Sequence, residues 1–173
     1  MGLRNTLLPE FSIETTTTRK LIERIPEDKL TWKPYENSMD FIGLATHLSN
    51  IPTWTNIIIN RDSFDLAPDS EERPKVKLAS CVKEALEIFD RNVTSAEEEI
   101  AGCLDHHLME SWTLLSGGNP IFMLAKISVI RSMVMNHLIH HRAQLGVYLR
   151  LNKILVPALF PVPGVYGPIK YGK

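Results

Sequence analysis

The sequence of 173 residues lacks the features that would point to nucleic acid or a membrane as its partner. Its formal net charge is -1, from 19 basic and 20 acidic side chains, and like charges form no block. No stretch of about 18 apolar residues is present, and the N-terminus lacks the pattern of a secretory signal. We therefore expect a cytoplasmic protein that binds neither nucleic acid nor membrane.

Cysteine is scarce, and the familiar catalytic motifs are missing. Cys81 and Cys103 are the two cysteines; they form no CxxC pair, so we interpret both as reduced structural thiols. The sequence contains no serine or cysteine nucleophile motif, no phosphate-binding glycine loop and no recognisable pair of catalytic carboxylates. Gly117-Gly118 is a lone turn signal without a dinucleotide-binding context. These absences exclude the common motif-based classes of enzyme.

The composition indicates one globular domain spanning residues 1–173. Hydrophobic residues make up 44% and charged residues 23%, which is ordinary for a folded protein. The length suits a single domain with a full core, which we place at about residues 9–152. Residues 153–173 contain several prolines and glycines and are predicted to form an irregular, non-helical tail.

Four segments show helical periodicity and predict an all-α four-helix bundle. Their approximate ranges are 9–25, 38–58, 76–100 and 120–151, and no alternating strand pattern of useful length occurs. Ser38 is the predicted N-cap of the second helix, with Asp40 adding favourable charge there. Pro52 is expected to kink that helix without ending it, because the apolar stripe continues beyond it. The polar segment that follows is predicted to be a long crossover connection.

Two histidines share the apolar side of the fourth helix. His137 and His141 are four residues apart, so they stack on one face among apolar neighbours. Two adjacent buried imidazoles disfavour each other's protonation, whereas a cation between them uses both as ligands. The alternative is that they hydrogen-bond to each other or to polar groups of the core.

A third histidine lies on the core edge of the second helix. His47 follows Leu44 by three residues and precedes Ile51 by four, so a facing helix brings it to the same point. Three imidazoles leave a fourth coordination position open, as in metal sites that bind a substrate. Imidazole binds zinc, nickel, copper and iron alike, so the type of ligand does not identify the metal.

The other three histidines are predicted to lie outside this site. His140 is rotated about 100° from His141 around the helix and should face a helix edge or solvent. His106 and His107 stand beside Asp105 in a predicted connection and are interpreted as solvated loop residues.

Two motifs resemble those of the DinB/YfiT family. Residues 38–48, Ser-Met-Asp-Phe-Ile-Gly-Leu-Ala-Thr-His-Leu, resemble its second-helix motif, and residues 136–150, which begin Asn-His-Leu-Ile-His-His-Arg, resemble its fourth-helix motif. Segments around Ile25-Pro26 and Trp32-Lys-Pro, and the tail at 162–168, resemble one branch of the family. The chain departs from the usual pattern at Ala143 and at 169–171. The resemblance implies a DinB-like bundle with a long crossover, often a homodimer, that binds a divalent ion through His47, His137 and His141.

The resemblance leaves the activity open. Relatives in the wider superfamily suggest a metal-dependent thiol transferase or a related hydrolase, with zinc or nickel as the metal and a low-molecular-weight thiol as a second cofactor. In that reading Gln144 or Tyr148 orients a small-molecule substrate. The first alternative is a non-catalytic metal-binding protein of a stress response. The second is a bundle in which the histidines are core residues only.

Overall fold

Helices make up most of the computed structural model, which describes residues 2–68 and 76–157. The helices are α1 (Leu3–Ile22), α2 (Phe41–Asn50), α3 (Thr53–Asn60), α4 (Val82–Gly102), α5 (Asp105–Leu108), α6 (Lys126–Val129) and α7 (Asn136–Leu151). A short 3-10 turn occupies Glu27–Lys29, and a π-helical segment, Ile130–Met135, joins α6 to α7. The strands are β1 (Ser63–Asp65), β2 (Ser111–Ser116) and β3 (Asn119–Ala125). The mostly helical character agrees with the sequence-based prediction.

The prediction of an all-α chain is wrong, because a three-stranded sheet is present. β1 pairs in parallel with β2, and β2 pairs antiparallel with β3. Residues 111–125, expected to be a connection and the start of the fourth helix, form a hairpin instead. Gly117 and Gly118 adopt φ values of +57° and +75° at its turn, a backbone conformation that glycine tolerates best. The Asp65 carboxylate accepts hydrogen bonds from both glycine amides, at 3.0 and 2.7 Å, so the turn is held from β1.

Three helix boundaries also differ from the prediction. α1 begins at Leu3, well before Pro9. Asp40, and not Ser38, is the N-cap of α2: its Oδ1 accepts a hydrogen bond from the Gly43 amide at 2.8 Å. α4 begins at Val82, and Leu78, which lies within the predicted range of 76–100, precedes the helix and is 54% exposed.

Pro52 interrupts the second helical segment more than a simple kink would. α2 ends at Asn50 and α3 begins at Thr53. Ile51 and Pro52 both keep right-handed helical φ and ψ values. The missing amide hydrogen of proline explains why the regular hydrogen bonding breaks here.

The helices pack around one apolar core. α4 contacts α1, α2 and α3, while α7 contacts α1 and α2. Phe11, Phe41, Phe89 and Trp112 are among its largest fully buried side chains. Within the described ranges, no helix is both long and apolar enough to cross a membrane. The contact between α2 and α7 is the one that positions the histidines.

The C-terminal end of α7 is defined by backbone hydrogen bonds. The amide of Lys153, which has a φ of +60°, donates to the carbonyl of Arg150, and the amide of Ile154 donates to that of Leu149. Residues 152–157 are not helical. Most of the predicted irregular tail, residues 158–173, lies outside the described residues.

Candidate metal centre

Two facing helices bring His47, His137 and His141 together. His47 lies in the second half of α2, whose start is fixed by the Asp40 cap. His137 and His141 occupy successive turns at the beginning of α7, directly after the π-helical segment. No other group of three histidine, cysteine, aspartate or glutamate side chains in the described part of the chain is close enough to hold a metal ion. This is the arrangement that the helical spacing predicts.

The Nε2 atoms of the three rings converge. The Nε2 atom of His137 lies 3.1 Å from that of His47 and 2.9 Å from that of His141. The three ligand atoms all lie within 4.8 Å of one another. The ring centroids are 4.4 to 4.9 Å apart. Three nitrogen atoms therefore meet at one point between α2 and α7.

The Nδ1 atom of His141 has a partner of its own. It lies 2.7 Å from Oε1 of Gln144, one helical turn further along α7. An amide oxygen only accepts, so Nδ1 carries the proton and Nε2 keeps a lone pair.

Burial and mutual proximity disfavour protonation of all three rings. Desolvation, followed by the nearby His141 and His137, lowers the pKa of His47 to about 4. Desolvation is also the largest cause of the lowered pKa values of His137 and His141. Hydrogen bonds to Met133 and Gln144 oppose these shifts in part. At neutral pH the cluster therefore presents neutral imidazoles.

This geometry fits a bound divalent ion. Zinc–nitrogen bonds of about 2.0–2.1 Å in a tetrahedral arrangement place two donors about 3.3 Å apart. The distances of 3.1 and 2.9 Å from Nε2 of His137 to Nε2 of His47 and His141 are close to this value. Nε2 of His141 offers a lone pair to such an ion, because the proton of its ring is on Nδ1. The described residues contribute three donors to this group, and a tetrahedral ion would have a fourth position for an external ligand.

The remaining histidines lie outside the cluster. His140 and His106 are exposed, as expected. Nε2 of His140 receives a hydrogen bond from the Gln144 amide at 3.1 Å, and its ring centroid lies 4.8 Å from that of His141. His107 is not a free loop residue: its Nδ1 lies 2.6 Å from Glu110, and its Nε2 lies 3.1 Å from the buried ammonium of Lys126.

Gln144 and Tyr148, the residues considered for orienting a substrate, have intramolecular partners. The hydroxyl of Tyr148 donates to the backbone carbonyl of Met39 at 3.1 Å. Its ring makes edge contacts with Trp32 and Phe41. Sequence reasoning missed the contact between Gln144 and His141, although their spacing of three residues on one helix could have indicated it.

Comparison with known proteins gives a family and a fold. The model of the DinB family matches residues 1–152. A DinB-like protein from Bacillus subtilis superimposes with a TM-score of 0.67 at 17% identity, covering 89% of this chain and 97% of the other. A DinB-like protein from Bacillus cereus gives 0.63 at 18% identity, covering 88% and 95%. No curated protein gives a significant match.

Proposed function

Because the chain belongs to the DinB family, we propose that it binds one divalent transition-metal ion through His47, His137 and His141, with a fourth position open to a small ligand. The convergence of three Nε2 atoms on one point carries this proposal. Its electrostatic support is that the rings are held neutral, the state in which imidazole binds a metal.

The proposal extends to a metal-dependent thiol transferase or a related hydrolase. When bound, the ion would supply the Lewis acidity that lowers the pKa of a thiol or a water molecule at the open position. The contribution of the chain is to hold the three imidazoles in place, with Gln144 fixing His141. The same proposal includes zinc or nickel as the metal, a small thiol as cofactor, a homodimer and a cytoplasmic location. The free thiols of Cys81 and Cys103 agree with a cytoplasmic location.

One observation favours the alternative of a metal-binding protein without catalysis. The polar atoms of Gln144 and Tyr148, the two side chains considered for orienting a substrate, hydrogen-bond within the protein. Both groups are therefore engaged within the protein, whereas metal storage or a stress response would require no side chain to orient a substrate.

Metal analysis of untagged protein, purified without added metal, tests the binding proposal. We expect close to one equivalent of a transition metal in the wild type and much less in the His141→Ala variant. Metal-free wild-type protein that also takes up no zinc or nickel would overturn it.

Transfer of small thiols to a generic electrophile, measured with the metal-loaded protein, tests the enzymatic part. The triple alanine variant of the three histidines is the control. A rate no higher than that of the control with every thiol would favour the non-catalytic alternative.

A further inference from the structure

Gln144 links the metal centre to the surface of α7 through both ends of its amide. Its Oε1 lies 2.7 Å from Nδ1 of His141, and its Nε2 lies 3.1 Å from Nε2 of His140. The side chain is only partly buried, and it is the one glutamine of the whole sequence. A long, flexible side chain with two such partners is held in one orientation.

The orientation of this amide decides which nitrogen of His141 is available. With Oε1 toward the ring, Nδ1 donates and Nε2 is a free donor atom for a metal. With the amide reversed, the NH2 group would face Nδ1, and the proton of the ring would move to Nε2. That proton would then point at Nε2 of His137, 2.9 Å away, and fill the place of the ion. His140 accepts from the NH2 end in the observed orientation, which opposes the reversal.

No carboxylate hydrogen-bonds to the cluster within the described part of the chain. The side chains that hydrogen-bond to the rings of His47, His137 and His141 there are other histidines and Gln144. Many metal-bound histidines donate to a carboxylate, which adds a negative charge next to the ion. Here the corresponding partner of His141 is a neutral amide.

We propose that Gln144 is a positioning residue that holds His141 with Nε2 free and, because its amide is uncharged, makes the fourth position selective for a small anion. This inference rests on the proposed metal binding and deepens it. A doubly charged ion held by three neutral rings in a partly buried site attracts a negative ligand more strongly than a neutral one. A thiolate, a hydroxide or a carboxylate satisfies this requirement.

The inference is tested by cobalt(II) binding, followed through visible absorption, in three variants. Gln144→Leu keeps much of the side-chain volume and removes both hydrogen bonds. Gln144→Glu keeps an acceptor for His141 but adds a negative charge. Ala143→Glu adds the same charge at the neighbouring exposed position and is the matched control.

We expect the Leu variant to bind cobalt(II) about 10–100-fold more weakly than the wild type, as for other residues that orient a metal ligand. The Glu variant should bind cobalt(II) at least as tightly as the wild type, yet its affinity for added azide should fall by about tenfold or more. The control should match the wild type in both titrations. Circular dichroism shows whether each variant is folded. If the Leu variant is unfolded, the azide affinity of the Glu variant still tests the inference.

The outcomes separate the two proposals. A wild type that binds no cobalt(II), zinc or nickel overturns the proposed metal site and this inference with it. A wild type that binds cobalt(II), with a Leu variant equal to it or a Glu variant that binds azide equally well, overturns the role of Gln144 alone.

Discussion

Asp105 caps the first helix from a position 102 residues further along the chain than Leu3. Its Oδ2 accepts a hydrogen bond from the Leu3 amide at 2.9 Å, and its Oδ1 accepts one from the Arg4 amide at 3.1 Å. Amides at the N-terminus of a helix have no partner within the helix, so this carboxylate satisfies two of them. These hydrogen bonds explain why α1 begins at Leu3.

The Asp105→Ala variant should unfold at a lower temperature than the wild type at neutral pH. Hydrogen bonds from Arg4 and Leu3 are the largest causes of the lowered pKa of Asp105. A carboxyl whose pKa is lower in the folded state stabilises the protein above its unfolded pKa, and this contribution is lost as the pH falls through the folded pKa. The difference in Tm between variant and wild type should therefore shrink below about pH 3.8. Glu98→Ala, at an exposed carboxylate of α4, is the control. An unchanged difference at pH 7 and pH 3 would contradict the assignment.

Gly118→Ala should destabilise the protein by about 1 kcal/mol through the backbone alone. The φ of Gly118 is +75°, and a methyl group there would meet no atom within 4 Å. Gly102 offers a matched control, because its methyl group would also meet nothing but its φ lies outside the left-handed region. We expect Gly102→Ala, at the end of α4, to be neutral or stabilising by about 0.4–1 kcal/mol. Urea unfolding measures both, and equal effects of the two variants would refute this account.

Arg142→Met should cost about 3–5 kcal/mol of the free energy of unfolding, because it leaves a charge without its partner. Arg142 is 5% exposed; its Nη1 lies 2.6 Å from Oε2 of Glu14 and donates to the backbone carbonyl of the same residue at 3.1 Å. The double variant with Glu14→Leu removes both charges and should recover much of the loss. Urea unfolding of both variants provides the measurement, and a double variant no more stable than the single one would speak against a buried charge pair.

Zinc at a concentration of about 100 times its Kd should raise the Tm of the wild type by about 5–10 °C, because it stabilises the folded state by about 2.7 kcal/mol. Removal of one of three ligands weakens binding, so His47→Ala should show little shift at the same concentration. His106→Ala, at an exposed histidine distant in sequence, should respond as the wild type does. A thermal shift that persists in the His47 variant would place zinc elsewhere. A chelator should reverse the shift in the wild type.

The site was more predictable from the sequence than the fold around it. The convergence of His137 and His141 follows from a spacing of four residues, which depends only on local helix geometry. The position of His47 in the cluster could be predicted from the apolar stripe of its own helix and from the packing of that helix against the fourth. The family assignment was confirmed by the match over residues 1–152.

The missed features depend on partners far away in the chain. The hairpin of β2 and β3 is held by Asp65, about fifty residues earlier, and the start of α1 by Asp105. Local periodicity contains no information on such contacts. The sequence pattern therefore predicts a turn at Gly117-Gly118 but not the strands on either side of it. The apolar residues of β3 were assigned to a helix for the same reason.

The π-helical segment before His137 makes the site depend on the winding of the chain as well as on residue type. A π-helical turn contains one residue more than an α-helical turn. Regular α-helical winding of all six residues of this segment, Ile130–Met135, would rotate α7 by about 100° relative to α6. Both histidines would then face away from His47, although no ligand had been altered. Among related chains, regular α-helical winding at this point without a compensating one-residue deletion would abolish the convergence of the three imidazoles as effectively as the loss of a histidine.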